Sequence, residues 1–380
     1  MITQQQDSSL AERETVVEIP FVRTSTPSVS IIVPTYKEAE NLPGLIERLD
    51  QMRREFRLDI ELLIMDDNSR DGSEELISRL ALPWVRLIVR TKNRGLSPAV
   101  LDGLGLATRE TVVVMDADLS HPPEKIPDML AELDRGAEFV IGSRYVAGAA
   151  TGEDWGLFRW LNSKVATWLA RPFTRAADPM SGFFAFRRAA LAKADELNPV
   201  GYKIGLELLV KCGFRRVVEV PIFFAQRQLG YSKLSFKEQL RYLQHLRRLM
   251  NYKYPFTSHA LQFGAVGGVG VVVHLAVLTA LLWAGLRVEL AVLAAIAVAM
   301  VSNFALNRRI TFSHAQNGSL WRQFAGFVGA CSLGALVNYG ITMAVLQSFS
   351  GIWPQVAALA GIAGGMTFNF LASRYFVFRT

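Results

Sequence analysis

The spacing of apolar and polar positions divides the chain into two kinds of sequence. In the first part, apolar runs of strand length alternate with amphipathic helical stretches. VSIIVPTY from Val29, IELLIMDDNS from Ile60, VRLIVRT from Val85, TVVVMDAD from Thr111 and AEFVIGSRY from Ala137 read as strands. Between the first two lies AENLPGLIERLDQMRREF from Ala39, whose apolar residues recur at helical spacing. Repeated strand–helix order predicts a mostly parallel, doubly wound sheet. In such sheets ligands gather at the carboxyl ends of the strands, where Pro34-Thr35-Tyr36, Asp66-Asp67-Asn68 and Asp116-Ala117-Asp118 all fall.

From Phe263 onward the pattern changes to four long apolar segments: Phe263 to Gly285, Leu290 to Leu306, Phe324 to Leu346 and Val356 to Leu371. Each is close to the roughly 20 residues that a helix needs to cross a bilayer core. Arg308, Arg309 and Arg322 lie between the second and third segments, and Arg374 and Arg379 follow the fourth. Positive residues favour the cytoplasmic side, which places the first domain, the middle loop and the C-terminus in the cytoplasm. This part also repeats: SNFALNRRITF from Ser302 and FNFLASRYFVF from Phe368 align at Asn303/Asn369, Phe304/Phe370, Arg308/Arg374 and Phe312/Phe378. The preceding segments open with Gln262-Phe263 and Gln323-Phe324, so two tandem helical hairpins are expected, with the two asparagines as satisfied polar caps. Just upstream, KLSFKEQLRYLQHLRRLMNYKYPF from Lys233 carries leucines at helical spacing with Arg241, Arg247, Arg248 and Lys253 between them, the pattern of a basic helix lying along a membrane surface.

Composition agrees with this division. The 380 residues are 51% hydrophobic with a net charge of +7, too apolar for a wholly soluble protein. The polar, acidic N-terminus lacks the basic start and apolar core of a signal peptide. Lys and Arg cluster between Arg171 and Lys253, beside the apolar part and without a nucleic-acid-binding signature, so a membrane surface rather than nucleic acid is the expected partner. Cys212 and Cys331 fall in different halves and read as buried hydrophobes rather than as a disulfide.

The candidate chemistry starts at Asp116 and Asp118. Two residues apart in an extended strand, they would face the same side. Close carboxylates repel unless one is protonated or a cation lies between them. Mg²⁺ or Mn²⁺ suits such a pair and commonly bridges it to substrate phosphates. Alone, the pair could equally cap the helix that follows Pro122-Pro123.

It does not stand alone. IIVPTYKEAENL, IMDDNSRDGS, KNRGLSPAV, VMDADLSHPPE, IGSRYV, DPMSGFFAFRR and RQLGYSKLSF follow one another in the order found in family 2 glycosyltransferases. The set most closely resembles polyprenol- and dolichol-phosphate mannose synthases, over about Ser28 to Arg248. The last third resembles the GtrA-like membrane domain. The resemblance implies an α/β GT-A fold, Rossmann-like with a mostly parallel sheet, joined to an all-α domain of four transmembrane helices. The expected division is an extension over 1–27, the GT-A domain over 28–233, interface helices over 234–258 and the membrane domain over 259–380.

By motif, the resemblance implies that Pro34, Tyr36, Glu38, Asp66, Asp67 and Gly95 bind the donor nucleotide with Asp116, Ala117 and Asp118. Asp116, Asp118 and Ser120 would hold the metal. The family often has Gln at the place of Ser120, a shorter side chain that would reach a metal through water. Arg144, Arg159, Ser163, Arg227 and Lys233 would contact the acceptor phosphate, with Asp118 and Arg144 the catalytic pair. A polyprenyl phosphate is already anionic, so it needs positioning rather than a base, and direct displacement inverts the anomeric centre. The partners implied are a nucleotide-sugar donor, a polyprenyl phosphate and the bilayer; the oligomeric state stays open. GDP-mannose is the first choice of donor, because VGYKIGLELL and RQLGYSKLS look closest to mannose synthases. UDP-glucose is the alternative, and two further readings are translocation of a lipid-linked sugar by the membrane half and a catalytically inert sugar-nucleotide-binding module. His121, before two prolines, reads as structural, and Glu207 as a buried ion-pair partner.

Overall fold

The computed structural model describes residues 26–151, 157–225, 236–349, 351–352 and 354–379. They form two compact units, one up to Tyr242 and one from Leu243 onward.

In the first unit the elements run β1 (Ser28–Thr35), α1 (Leu42–Glu55), β2 (Asp59–Asp66), α2 (Ser73–Leu80), β3 (Val85–Val89), α3 (Leu96–Leu106), β4 (Thr111–Val114), α4 (Ile126–Asp134), β5 (Phe139–Ser143), β6 (Ala150–Thr151), α5 (Leu157–Ala170), β7 (Phe184–Arg187), α6 (Ile204–Lys211), β8 (Val217–Pro221) and β9 (Phe223–Phe224). Seven strands make one sheet in the order β3-β2-β1-β4-β7-β5-β8. Every pairing in it is parallel except those of β7, which runs antiparallel to both β4 and β5. Successive side chains serve opposite faces. Ile31 and Leu62 pack with Leu45 and Leu49 of α1 and Met129 of α4, whereas Ile32 and Leu63 pack with Val100 and Leu104 of α3 and Leu208 of α6. Both faces are covered, which is why the central strands read as unbroken apolar runs.

Strand order reverses between β1 and β4, which are hydrogen-bonded neighbours. That is the switch point where a doubly wound sheet opens a ligand crevice. β4 ends at Val114. Asp116-Ala117-Asp118 therefore lies in the turn beyond the strand, with Leu119 at φ +59°, and the expected alternation within an extended strand does not orient the pair. Neighbouring side chains do so instead.

The second unit begins inside α7 (Phe236–Lys253) and continues through α8 (Pro255–Trp283), α9 (Val288–Leu306), α10 (Leu320–Ser348) and α11 (Pro354–Ala372). Among the described residues, three helices are long and apolar enough to cross a membrane: Pro255–Trp283, Leu290–Thr311 and Leu320–Ser348. The 19-residue α11 matches the fourth expected segment.

The unit is a hairpin used twice. α9 and α11 both end in a five-residue π-helical turn, Asn307–Thr311 and Ser373–Val377. Phe312 and Phe378, which follow these turns, stack at 4.7 Å. The register of the repeat differs from the expected one. On α8 the buried positions include Phe263, Val266 and Gly270, and on α10 they include Phe327, Ala330 and Gly334. Phe263 therefore corresponds to Phe327, and the two Gln-Phe pairs are three residues out of register.

Asn303 and Asn369 are not satisfied caps. They lie inside α9 and α11, where a Cβ on Gly270 or Gly334 would overlap their amides, and neither Oδ1 has a hydrogen-bond partner among the described residues. Gly334→Ala should overpack this contact and cost about 1–3 kcal/mol. A fall in the unfolding temperature of the purified full-length chain would register it. Gly329→Ala, where a methyl group meets only open space, should leave that temperature unchanged; equal effects from both would remove the contact from the account.

Candidate active site

The carboxyl ends of β1, β2 and β4 bring the expected donor residues to one rim. Pro34 and Thr35 close β1, and the Asp67 N–H donates to the Thr35 carbonyl at 3.0 Å. Asp66 is buried and accepts hydrogen bonds from the Thr35 hydroxyl at 3.2 Å and the Ser69 N–H at 2.8 Å. Asp67 accepts the Gly95 N–H at 2.6 Å and pairs with buried Arg90. Arg90 also donates to Asp102 at 2.7 Å and to the Asn93 carbonyl at 2.9 Å, so Asp67 and Arg90 fix the loop that carries Gly95. Gly95 caps α3 at φ +134°, a conformation that L side chains rarely adopt. Tyr36 is exposed beside Arg94, whose guanidinium carbon lies 5.9 Å from the ring centroid. Glu38 accepts from the Asn41 amide at 2.6 Å. At the ends of β2 and β3, a cleft of about 240 Å³ is lined by Asp66, Asn68, Arg70 and Asp71.

The Asp116–Asp118 turn is held by two neighbours. His121 is buried, stacks on Phe183 at 5.4 Å, and accepts the Asp116 N–H on Nδ1 at 3.1 Å. Burial lowers its pKa despite both nearby aspartates. A neutral ring that accepts on Nδ1 carries its proton on Nε2. The ring thereby braces the turn that carries Asp116. Asp118 is buried, and its Oδ1 accepts both the Ser120 N–H at 3.1 Å and the Ser120 hydroxyl at 2.5 Å. Ser120, completely buried, thus turns its hydroxyl onto the carboxylate and sets its orientation. The Asp116 side chain remains 31% exposed.

Among the described residues no group of three or more His, Cys, Asp or Glu could close around a metal ion. Two carboxylates at the carboxyl rim of the sheet fit a different kind of site. Mg²⁺ in particular is commonly held by one or two carboxylates and completes its shell with water and substrate phosphate oxygens.

Across the rim, Arg144 follows β5. Its Nε and one terminal nitrogen each donate at 2.7 Å to Asp178, and its own N–H donates to the same carboxylate at 3.0 Å. Asp178 is fully buried, and the Arg144 side chain is 13% exposed. Burial works against the guanidinium charge, but the hydrogen bonds and charge of Asp178 outweigh it and raise the pKa. Glu219 of β8 accepts the Ala177 and Asp178 N–H groups at 2.7 and 2.9 Å, fixing the loop that presents the aspartate. Tyr145 connects this corner to α5 by donating to the Ser163 hydroxyl at 2.6 Å. Arg144 and Ser163 are thereby brought to one corner. Arg159 lies on α5 one turn before Ser163, and Arg227 and Lys233 lie outside the described residues.

Three participants were not singled out from the sequence: Asp178, Glu219 and Lys203. Asp178 opens the DPMSGFFAFRR motif and Lys203 lies within VGYKIGLELL, but pairing between residues far apart in the chain carries no local signal. Lys203 donates to the Met180 carbonyl at 3.2 Å. Burial and neighbouring Arg144 push it from 10.5 down to about 8, against the opposing pull of Asp178 and Asp116. The ammonium form, able to attract a phosphate, is present below that value and lost above it. The kcat/KM for the phosphate-bearing acceptor should therefore fall as pH rises through about 8. Lys203→Met should abolish this alkaline limb, and an unchanged profile would separate Lys203 from the acceptor. Glu207 is the expected buried ion-pair partner, 2.8 Å from Lys211.

Residues 30–194 match the model of glycosyl transferase family 2, and residues 262–378 match that of the GtrA/DPMS transmembrane domain. The chain is 38% identical over 357 residues to a dolichol-phosphate mannosyltransferase of Pyrococcus furiosus, covering 93% of this chain and 99% of that protein. It is 43% identical over 270 residues to the dolichol-phosphate mannosyltransferase of Mycosarcoma maydis, covering 68% and 88%. It is 37% identical over 231 residues to a polyprenol monophosphomannose synthase of Mycolicibacterium smegmatis, covering 57% and 85%. With a doubly wound sheet whose rim bears the Asp116–Asp118 pair, followed by apolar helices in repeated hairpins, the chain belongs to the dolichol-phosphate mannosyltransferase family, as a family 2 glycosyl transferase joined to a GtrA/DPMS membrane domain.

Proposed function

We propose that the protein transfers mannose from GDP-mannose to a polyprenyl phosphate at the cytoplasmic membrane face, inverting the anomeric centre. The observation that carries this reading is the division of the rim, with acidic Asp116 and Asp118 on one side and Arg144, locked onto Asp178, with Lys203 on the other.

The acidic side suits a metal–diphosphate. Asp116 and Asp118 would hold Mg²⁺ or Mn²⁺, with Ser120 orienting Asp118. Such an ion, when bound, neutralises charge on the departing nucleoside diphosphate. Pro34, Tyr36, Glu38, Asp66, Asp67, Gly95 and Ala117 would form the nucleotide side, with the cleft at Asn68 and Arg70 within reach of the base.

The basic side suits a lipid phosphate. Arg144, Arg159, Ser163, Arg227 and Lys233 would position it, and Arg144 is set in place by Asp178 before the lipid arrives, so little reorganisation is needed. α5, which carries Ser163, also turns Leu161, Val165 and Trp168 outward, the last 71% exposed, as suits an acceptor with an apolar tail. A phosphate oxygen of the lipid forms the new bond to the anomeric carbon as the bond to the nucleoside diphosphate breaks, giving a β-linked product from an α-linked donor. No proton has to be removed. In keeping with this, the sole histidine before residue 243, His121, is buried with Nδ1 engaged on the Asp116 backbone.

The names of the relatives favour mannose, and with it GDP-mannose over UDP-glucose. α8 to α11 would make four spans, with the catalytic unit, the middle loop and the C-terminus on the cytoplasmic side. Polyprenol tests the mechanism in place of polyprenyl phosphate: its hydroxyl would need a base, so no product is expected. Turnover with the alcohol would contradict a site built for an anion.

A further inference from the structure

Between residues 243 and 380 the sequence has nine Lys or Arg and one acidic residue, Glu289. Glu289 is at the start of α9, and Arg308 and Arg309 lie just beyond that helix's other end. A 19-residue helix spans about 28 Å, so among the described residues these two cations have no side-chain carboxylate of their own unit nearby.

The internal repeat compares two of them directly. Arg308 and Arg374 occupy the same place in the π-turns that end α9 and α11. Each reaches the first helix of the other hairpin, at Gln323 on α10 and His259 on α8. Arg308 is well supplied with neutral acceptors: Gln323 Oε1 at 2.8 Å, the Gly318 carbonyl at 3.4 Å and the Gln316 carbonyl. Arg374 has His259 Nδ1 and, at 3.5 Å, the Pro255 carbonyl. Its remaining surroundings are imidazole rings, a second guanidinium and aromatic rings. His259 stacks on His314 at 5.5 Å and also has the Arg374 and Arg247 guanidiniums as neighbours. Phe256 and Tyr375 lie 5.6 and 5.7 Å from the Arg374 guanidinium. Two guanidiniums and two imidazoles thus converge without a counter-anion among the described residues of this unit, and a guanidinium offers five N–H donors in a fork matched to phosphate.

The depth of the cluster indicates what the anion is. Phe256 and Tyr375 beside Arg374, and their chain neighbours Tyr254 and Phe376, are all exposed, the last by 83%. Aromatic residues gather at the headgroup level of a membrane, and basic pockets between spanning helices bind lipid headgroups there.

We infer that Arg374, His259, His314 and Arg247 form a docking site for the phosphate of an anionic bilayer phospholipid. The site lies wholly within the membrane unit and is independent of the donor and of the transfer reaction.

The test uses the purified full-length chain, reconstituted in vesicles of equal parts phosphatidylglycerol and phosphatidylcholine and then extracted in mild detergent. Lipid retained per protein is quantified. Phosphatidylglycerol should be enriched over phosphatidylcholine, and Arg374→Gln should reduce the enrichment about fivefold, the change that one cation near an anionic surface brings. Arg247→Gln, which alters an exposed residue with one contact to the Ile310 carbonyl, should reduce it similarly and carries the test if the first variant does not fold. Arg309→Gln, an exposed charge not among those facing His259, should leave it unchanged. No enrichment, or equal losses from Arg374→Gln and Arg309→Gln, would overturn the site. Displacement of the phosphatidylglycerol by inorganic phosphate would assign the cluster to a free anion, and displacement by an equal amount of polyprenyl phosphate would assign it to the substrate lipid; either result overturns the proposal.

Discussion

Asp118→Asn should lower turnover by about 10²-fold or more, the scale of effect seen when a group stabilising transition-state charge is removed, while leaving the fold unchanged. The side chain is buried and receives two hydrogen bonds from Ser120 on Oδ1. Asparagine keeps that oxygen, so Ser120 can hold the amide as it holds the carboxylate. What changes is the second terminal atom, which becomes an NH₂ donor where a metal–diphosphate needs an acceptor and a negative charge. Steady-state kinetics across a metal titration should show a higher metal requirement together with a depressed plateau, and unchanged unfolding would exclude a structural cause. Near-normal turnover at limiting metal would remove Asp118 from the metal site. Ser120→Ala should act more mildly, because it frees the carboxylate from its hydroxyl partner without removing its charge.

Asp178→Ala should destabilise the catalytic unit strongly. Arg144 is only 13% exposed and Asp178 fully buried, so the substitution strands a guanidinium in a poorly solvated corner. Breaking a buried pair in this way costs about 3–5 kcal/mol, or about 10 °C in unfolding temperature for a domain of this size. Activity should fall too, since Arg144 loses the fork that aims it. A double variant, Arg144→Met with Asp178→Leu, separates the two effects. Replacing the whole pair by apolar side chains removes the uncompensated charge, so stability should largely return. Activity should not return, because no guanidinium remains for the lipid phosphate. Recovery of both would make the pair purely structural, and recovery of neither would place the defect in packing.

The sequence exposed the strands whose motifs end at the rim, because a buried parallel strand is a short apolar run closed by polar residues, as at VSIIVPTY and IELLIMDD. It concealed β7. Phe184–Arg187 lies between β4 and β5 with three of its four residues buried, so it shows no alternation and reads as part of an aromatic motif. The same limit hid Asp178 and Glu219: Asp178 holds a residue 34 positions earlier and Glu219 holds residues 41 and 42 positions earlier, and nothing local marks a carboxylate that will lie beneath an arginine. The Asp116–Asp118 pair was found for the right residue types, but its geometry depends on His121 and Ser120 in a turn rather than on strand alternation. In the membrane unit, the matched Asn, Arg and Phe positions at the ends of α9 and α11 revealed the repeat. The identical Gln-Phe pairs misled on register because a three-residue slip rotates the matched position about 60° around a helix, whereas burial of Phe263, Val266 and Gly270 against that of Phe327, Ala330 and Gly334 follows the packed face.

The most direct measurement incubates the detergent-purified full-length chain with Mg²⁺ or Mn²⁺, a polyprenyl phosphate, and GDP-mannose or UDP-glucose in parallel, and identifies the lipid product. The predicted result is polyprenyl-phosphate mannose from GDP-mannose, dependent on the added metal. A glucosyl lipid from UDP-glucose with none from GDP-mannose, or donor binding without any lipid product, would contradict it.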